Sequence, residues 1–278
     1  MSKIYLVYFV NGAVERSTEH RNPSYSEAAD PSVPLQLFPS PMESYSAELR
    51  TWFELDSRMP RAPTDLERAR AICASVHGRW THSNDDEPSR NDPITILREA
   101  SRGKRFRCVQ FGIVLAGALS AFGMPSRVVA MMSRDVETRE SGASHVVAEA
   151  WIASLGKWVL LDAQENAVFL QGDVPLNCAE VAARMGEPDL QVRIPGLPPG
   201  IDPRIYLDPE AFGPNFFYFQ TRVDQRRSVS GQVGGEGGHP SILLCPLGAP
   251  EPRIFQRTLP FEQVTYTRST AAFYRPPG

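Results

Sequence analysis

Three residues far apart in the chain could share one reaction: Cys108, His145 and Asp162. A thiolate attacks carbonyl carbon, an imidazole can take and return a proton, and a carboxylate can hold that imidazole in one tautomer. Cys108 stands in FRCVQF and opens the apolar run CVQFGIVLAGALSAF, residues 108 to 122. That run is apolar on nearly every side and too short to cross a membrane, which predicts a buried helix with Cys108 at its start. Free N–H groups and the positive end of the helix dipole favour a thiolate there. Lys104, Arg105 and Arg107 add positive charge nearby, and a buried helix would hold the thiol still. Taken alone, Cys108 reads more simply as a core thiol capping an apolar helix, since free cysteine is commonly buried.

The chain has five histidines, His20, His77, His82, His145 and His239. His145 opens HVVAEAWI and Asp162 closes KWVLLDA, two strand-like runs joined by a tight turn around Ser154, Leu155 and Gly156. An antiparallel register with His145 opposite Asp162 pairs Val147 with Leu160, Glu149 with Trp158 and Trp151 with Gly156. Directly opposed side chains sit about 4.5–5.5 Å apart at Cβ, within reach of a hydrogen bond between the longer groups. One face of this hairpin carries Val146, Ala148, Ala150, Ile152, Val159 and Leu161; the other carries His145, Glu149, Trp151, Trp158 and Asp162. A one-residue slip would send Asp162 to the wrong face. Separately, His145 reads as a strand-end surface histidine and Asp162 as a turn-forming acid. With Cys108 beside them, those separate readings are hard to sustain.

The flanking elements have local signals of their own. Residues 64 to 79 form a helical pattern capped by Thr64, with Glu67 three residues on and an apolar stripe of Leu66, Ala69, Ile72, Cys73 and Val76. Cys73 and His77 read as helix-face residues. A polar loop, WTHSNDDEPSRNDP, leads to Asp92–Pro93, an N-cap and first-turn pair for a short helix that stops at Gly103. Gly123 and Pro125 end the apolar helix, and RVVAMM follows as a strand. Residues 41 to 58 and 175 to 185 have helical spacing. Near the N-terminus, IYLVYFV reads as a strand. The last sixty residues contain β-type runs: FFYFQTRV, SILLCPL, EPRIFQR and QVTYTRSTAAFY. The glycine-rich stretch 231 to 239 lacks the Lys-Ser/Thr ending of a phosphate loop.

Composition bounds the partners. The chain has 278 residues, 42% hydrophobic and 22% charged, with net charge −3. These are values of a soluble globular protein, and they give no case for nucleic acid. No apolar run is long enough for a membrane helix, and the N-terminus lacks a cleavage signal, so a cytoplasmic protein without a membrane partner is expected. Cys73, Cys108, Cys178 and Cys245 form no CxxC pair, and no histidine stands at ligand spacing. Reduced thiols, no metal and no cofactor are expected.

The stretches GKRFRCVQFGIVLAGALSAFGMPSRVV and SHVVAEAWIASLGKWVLLDAQEN resemble the transglutaminase-like superfamily, whose core is related to the papain-like cysteine proteases. The resemblance runs from about Trp80 to Glu180 and is similar to a bacterial-type subgroup in which DPITILREASRG precedes the Cys region and PLNCAE follows the Asp. It implies an α+β fold with the nucleophile-bearing helix packed on an antiparallel sheet, to which the β-type runs of the last sixty residues add a β-rich C-terminal extension. Residues 1–60 would be an N-terminal strand and helical extension, 61–185 the catalytic core, and 186–278 a Pro/Gly-rich crossing and β-rich segment packed on that core or forming a small domain. It implies Cys108 as nucleophile, His145 as its base and later acid, and Asp162 as the orienting group. The Cys108 N–H would serve the oxyanion hole, with the Trp80 indole N–H as a candidate second donor and Gln110 a poorer one. The implied activity is cysteine-dependent acyl transfer from an amide (a peptide, protein or small molecule) to water or an amine. A non-catalytic binding or scaffold protein on the same fold is the alternative. Val147 and Ala163 stand where many members have an aromatic residue and a proline, which loosens any inference about substrate.

Overall fold

The computed structural model of the protein describes residues 22–54, 64–208, 210–226 and 239–278. The expected N-terminal strand, His20 and residues 231–238 of the glycine-rich stretch lie outside the described residues.

Four helices form one layer. They are α1 (Ser44–Glu54), α2 (Asp65–His77), α3 (Pro93–Ala100) and α4 (Cys108–Ala121). Side chains start two of them as the cap residues predict: Thr64 Oγ1 accepts the Glu67 N–H at 3.2 Å, and Asp92 Oδ1 accepts the Thr95 N–H at 3.0 Å. Gly123, with φ of +82°, turns the chain out of α4 into β1 (Ser126–Met132). The α4 helix lies so close to the sheet that a Cβ on Gly112 would come within 2.9 Å of Val146 Cγ1 and 3.2 Å of the Val147 carbonyl oxygen. Gly112 is one turn beyond Cys108, so the start of α4 is seated beside the start of the strand that carries His145.

The remaining elements are β2 (Ser144–Ile152), β3 (Lys157–Asp162), β4 (Ala167–Gln171), β5 (Val174–Pro175), α5 (Cys178–Arg184), β6 (Leu190–Arg193), β7 (Tyr218–Arg222), β8 (Ser241–Leu244), β9 (Ile254–Phe255), β10 (Leu259–Pro260), β11 (Val264–Thr267) and α6 (Thr270–Phe273). The main sheet runs β11-β8-β7-β1-β2-β3-β4-β5, with β6 also paired to β4. All its pairings are antiparallel except β11 with β8. The C-terminal strands β7, β8 and β11 thus continue the sheet that holds the hairpin. The run QVTYTRSTAAFY divides: it is strand only to Thr267, then Ser269 accepts the Ala272 N–H at 3.0 Å and starts α6. Strands β4 and β6 had no counterpart in the sequence reading.

Alternation along the strands sorts side chains to two cores. Ala148, Ala150, Ile152, Val159, Leu161 and Val168 pack with the four helices. Val147, Leu160, Phe169, Val129 and Met131 face a second layer built from α5, α6, Val33 and the aromatic residues Tyr206 and Phe216. The sheet is therefore covered on both faces.

The second face buries a charge pair. Arg127 and Glu149 are opposed across β1 and β2, both wholly buried. Arg127 Nε and Nη2 donate to Glu149 Oε2 at 3.0 and 2.8 Å, and Nη1 donates to the Phe273 carbonyl at 2.7 Å. The guanidinium also lies 4.4 Å from the Trp158 ring and 4.5 Å from the Phe273 ring. Glu149 Oε1 accepts the Cys178 N–H at 2.8 Å. Removing one member leaves an uncompensated buried charge, so Glu149→Ala should destabilise the protein by about 3–5 kcal/mol. Replacing both, as in Arg127→Met with Glu149→Leu, should recover most of that loss; urea unfolding midpoints of the three proteins check it.

Candidate active site

The hairpin brings its two polar residues together by a register other than the expected one. Trp151 faces Trp158 and Ala148 faces Leu161, two residues displaced from the pairing inferred from sequence. The cause is the turn. Ala153–Leu155 form a 3-10 turn and Gly156 adopts a left-handed φ of +61°, so β3 begins only at Lys157. A two-residue displacement keeps every side chain on its face. His145 and Asp162 become diagonal neighbours, still within reach, and His145 Nε2 lies 2.8 Å from Asp162 Oδ2.

Both groups are withdrawn from water, His145 at 2% exposure and Asp162 at 0%. Burial disfavours the imidazolium, but the Asp162 charge, its hydrogen bond, and a hydrogen bond and attraction from Cys108 outweigh it and lift the His145 pKa to about 10. Burial likewise opposes the Asp162 carboxylate. The His145 charge, the His145 and Tyr206 hydrogen bonds and the Gln164 N–H together hold its pKa below the usual carboxylate value. The Gln164 N–H donates to Asp162 Oδ1 at 2.8 Å. With Nε2 engaged by Asp162, Nδ1 is the imidazole nitrogen left for the Cys108 thiol. Cys108 is partly exposed, whereas Cys73, Cys178 and Cys245 are buried. Solvent-side chemistry therefore has one thiol to reach.

Cys108 is the first residue of α4, and Arg107 before it provides no side-chain cap. The Gln110 N–H donates to the Arg107 carbonyl at 3.1 Å, and no side-chain cap takes the Cys108 and Val109 N–H groups before it. The cations expected around the thiol are paired elsewhere. Lys104 Nζ lies 2.8 Å from Glu99, Arg105 lies 3.3 Å from Asp85, and Arg107 pairs with Glu87. The Arg105 and Arg107 pairs, with a donation from Lys104 Nζ to the Glu87 carbonyl at 3.1 Å, tie the polar loop along residues 104–107, where the Ser83 N–H also donates to the Phe106 carbonyl at 3.1 Å.

Trp80 does not turn its N–H to the site. Its Nε1–H donates to the Phe106 carbonyl at 3.2 Å, and its ring stacks on Phe111 at 4.3 Å. In this arrangement the indole braces the entry to α4 and leaves no donor for an oxyanion. Gln110 is also engaged, its Nε2 donating to Asn91 Oδ1 at 2.9 Å. His77, on α2, donates from Nδ1 to the carbonyls of Ala163 and Gln164 at 3.1 and 2.9 Å and so anchors the turn after Asp162. His82 lies near enough to His145 to feel its charge; burial and that repulsion lower its pKa. Two aromatic residues absent from the sequence reading also reach the pair: Tyr206 and Phe212. Among the described residues no group of three or more His, Cys, Asp or Glu side chains is placed to hold a metal ion, and no helix is long and apolar enough to cross a membrane.

Residues 54–163 match the family model of the transglutaminase-like superfamily. That stretch, which contains Trp80, Cys108, His145 and Asp162, has a transglutaminase-like core, and the match supports a cysteine-type enzyme family. Among solved structures, the chain is similar to a candidate cysteine protease from Cytophaga hutchinsonii, with 14% identity, a TM-score of 0.36, and 56% of this chain and 49% of that one covered. It is similar to red sea bream transglutaminase at 20% identity and a TM-score of 0.30, covering 43% of this chain and 26% of that one. A candidate protease from Parabacteroides distasonis matches at 16% identity and a TM-score of 0.29, covering 52% and 30%. The chain spans about half or less of the length of each. No curated protein sequence matches it.

The His145 shift has a consequence for stability. A raised folded pKa contributes stability that is fully present below the unfolded value near 6.5 and is lost as pH rises through about 10. His145→Ala should therefore be less stable than the parent at pH 6, and the gap should narrow by pH 10. Urea midpoints at the two pH values test this.

Proposed function

We propose that the protein is a cysteine-dependent acyl-transfer enzyme acting on an amide of a peptide, protein or small molecule. The observation that carries this reading is the buried His145, bonded to Asp162 through Nε2 and neighbouring the partly exposed Cys108 thiol. Such an imidazolium can both stabilise a thiolate and supply a proton.

In the proposed cycle, the Cys108 sulfur attacks the amide carbonyl carbon and forms a C–S bond. The carbonyl oxygen becomes an oxyanion, which the Cys108 N–H at the uncapped helix end would stabilise. The C–N bond then breaks, and the leaving amine takes its proton from His145, leaving a thioester and a neutral imidazole. Water or an amine next gives a proton to His145 and attacks the thioester. The C–S bond breaks, the acyl group leaves on the acceptor, and the thiolate–imidazolium pair is restored. Asp162 keeps its charge throughout and orients the ring. Hydrolysis and amine transfer share every step up to the thioester, so the acceptor decides between protease- or amidase-type and transglutaminase- or amide-synthase-type activity.

An acyl probe with mass spectrometry, run with and without added amines, tests this. Cys108 should gain the acyl mass, and water or the amine should relieve it. Cys108→Ala should abolish labelling at this site, His145→Ala should slow it on the order of a thousandfold, and Asp162→Asn should cost less than that. Labelling of Cys108 no faster than of Cys73, and indifferent to His145→Ala, would instead leave a binding or scaffold protein on the same fold.

A further inference from the structure

We infer that Tyr206 is a positioning residue of this site, acting on His145 through Asp162, with Phe212 fixing the plane of the imidazole. The inference rests on the acyl-transfer reading and extends the site beyond the stretch that matches the superfamily, which ends at residue 163. The Tyr206 hydroxyl donates to Asp162 Oδ2 at 2.7 Å, the same oxygen that faces His145 Nε2. The other oxygen, Oδ1, accepts the Gln164 N–H. Both ends of the carboxylate are thus committed, and, wholly buried as it is, it cannot rotate without losing a bond. Tyr206 is 2% exposed. Burial and the Asp162 charge push its pKa up, so it stays a neutral donor.

Phe212 stacks on the His145 ring with centroids 4.0 Å apart and planes at 29°. It also packs against Tyr206 at 4.6 Å. One face of the imidazole is closed in this way. The Phe212 N–H donates to the Tyr206 carbonyl at 3.1 Å, and the Gly213 N–H donates to the Asp208 carbonyl at 3.2 Å. A Cβ on Gly213 would fall 2.1 Å from the Leu207 carbonyl oxygen, so the fold-back needs glycine there. Phe169, on β4, packs against the Tyr206 ring from the sheet side, and Phe216 meets it within the same layer.

Tyr206→Phe deletes one hydroxyl and keeps the ring. Acylation of Cys108 by the probe at neutral pH should fall roughly tenfold, the scale at which outer partners of an oriented histidine matter. A structural role alone could lower the rate, so a second readout is needed. The downfield proton resonance of the His145–Asp162 hydrogen bond persists while Asp162 is ionised. Without the tyrosine donor the carboxylate holds a proton more readily, and the resonance should vanish at a higher pH on acidification. Site-specific 3-fluorotyrosine at 206, a stronger donor of nearly the same shape, should move that point lower and serves even where Tyr206→Phe folds poorly. Phe169→Leu, which loosens the same packing without touching Asp162 or His145, should lower the melting temperature and leave the point in place. An unmoved resonance in both Tyr206 replacements, or an equal displacement in Phe169→Leu, overturns the positioning role. Acylation indifferent to His145→Ala would overturn the acyl-transfer reading itself; acylation sensitive to His145→Ala but indifferent to the Tyr206 hydroxyl would overturn only this inference.

Discussion

A carboxylate removed from water stays charged only if its neighbours do what water did, and Asp162 has no exposed surface at all. Its partners come from three separate parts of the chain. His145 belongs to the adjacent strand, the Gln164 N–H to the turn that follows β3, and the Tyr206 hydroxyl to the layer on the far side of the sheet. The turn is itself held from behind by His77 on α2. Asp162 is therefore a junction at which the helical layer, the hairpin and the second layer must all be in place before the charge is tolerable. The same arrangement raises the His145 pKa, so site electrostatics and tertiary assembly are one problem.

The Arg127–Glu149 pair imposes the same logic on the rest of that sheet face. Two buried charges are no guarantee of net stability, because desolvation offsets much of their attraction. What they do supply is specificity of assembly. The Arg127 guanidinium is satisfied only when the Phe273 carbonyl and the rings of Trp158, Phe273 and Tyr274 surround it. Glu149 is satisfied only when the start of α5 presents the Cys178 N–H. A sheet face marked by His145, Glu149 and Asp162 can thus be buried by one particular covering layer and not by an arbitrary apolar one.

The parts of this design that were legible in the sequence are local. Thr64, Asp92–Pro93 and Gly123 announce helix ends because caps depend on a few adjacent backbone groups. The shared face of His145 and Asp162 is legible because strand parity survives a register displacement of two residues, whereas the 3-10 turn with its left-handed Gly156 that sets the register has no clear sequence signal. Tyr206 and Phe212 left no signal. Their partners stand dozens of residues away, and a Pro/Gly-rich stretch gives neither a helical nor a strand period to locate them. The run through Thr270–Phe273 failed for a related reason: β-type composition continues past Thr267, and a single serine cap decides the change to helix. Trp80 precedes α4 in the sequence, but which acceptor takes its N–H depends on the path of residues 104–107.

Those same residues bear on what sets the reactivity of Cys108. A run of Lys104, Arg105 and Arg107 looks like a positive field when only the sequence is seen. In the fold each of these cations has its own carboxylate, from Glu99, Asp85 and Glu87, and the side chains of the three cations are half exposed. Paired and solvated charges cancel at distance and are screened within about a Debye length of 8–10 Å. What remains at the sulfur is short-ranged: the uncapped N–H groups of α4 and the imidazolium of His145. Both depend on position to within fractions of an ångström, whereas a diffuse basic patch would not. The close seating of α4 at Gly112, the bracing of its entry by Trp80 and the locking of Asp162 are thus the features that the proposed activation of Cys108 would draw on.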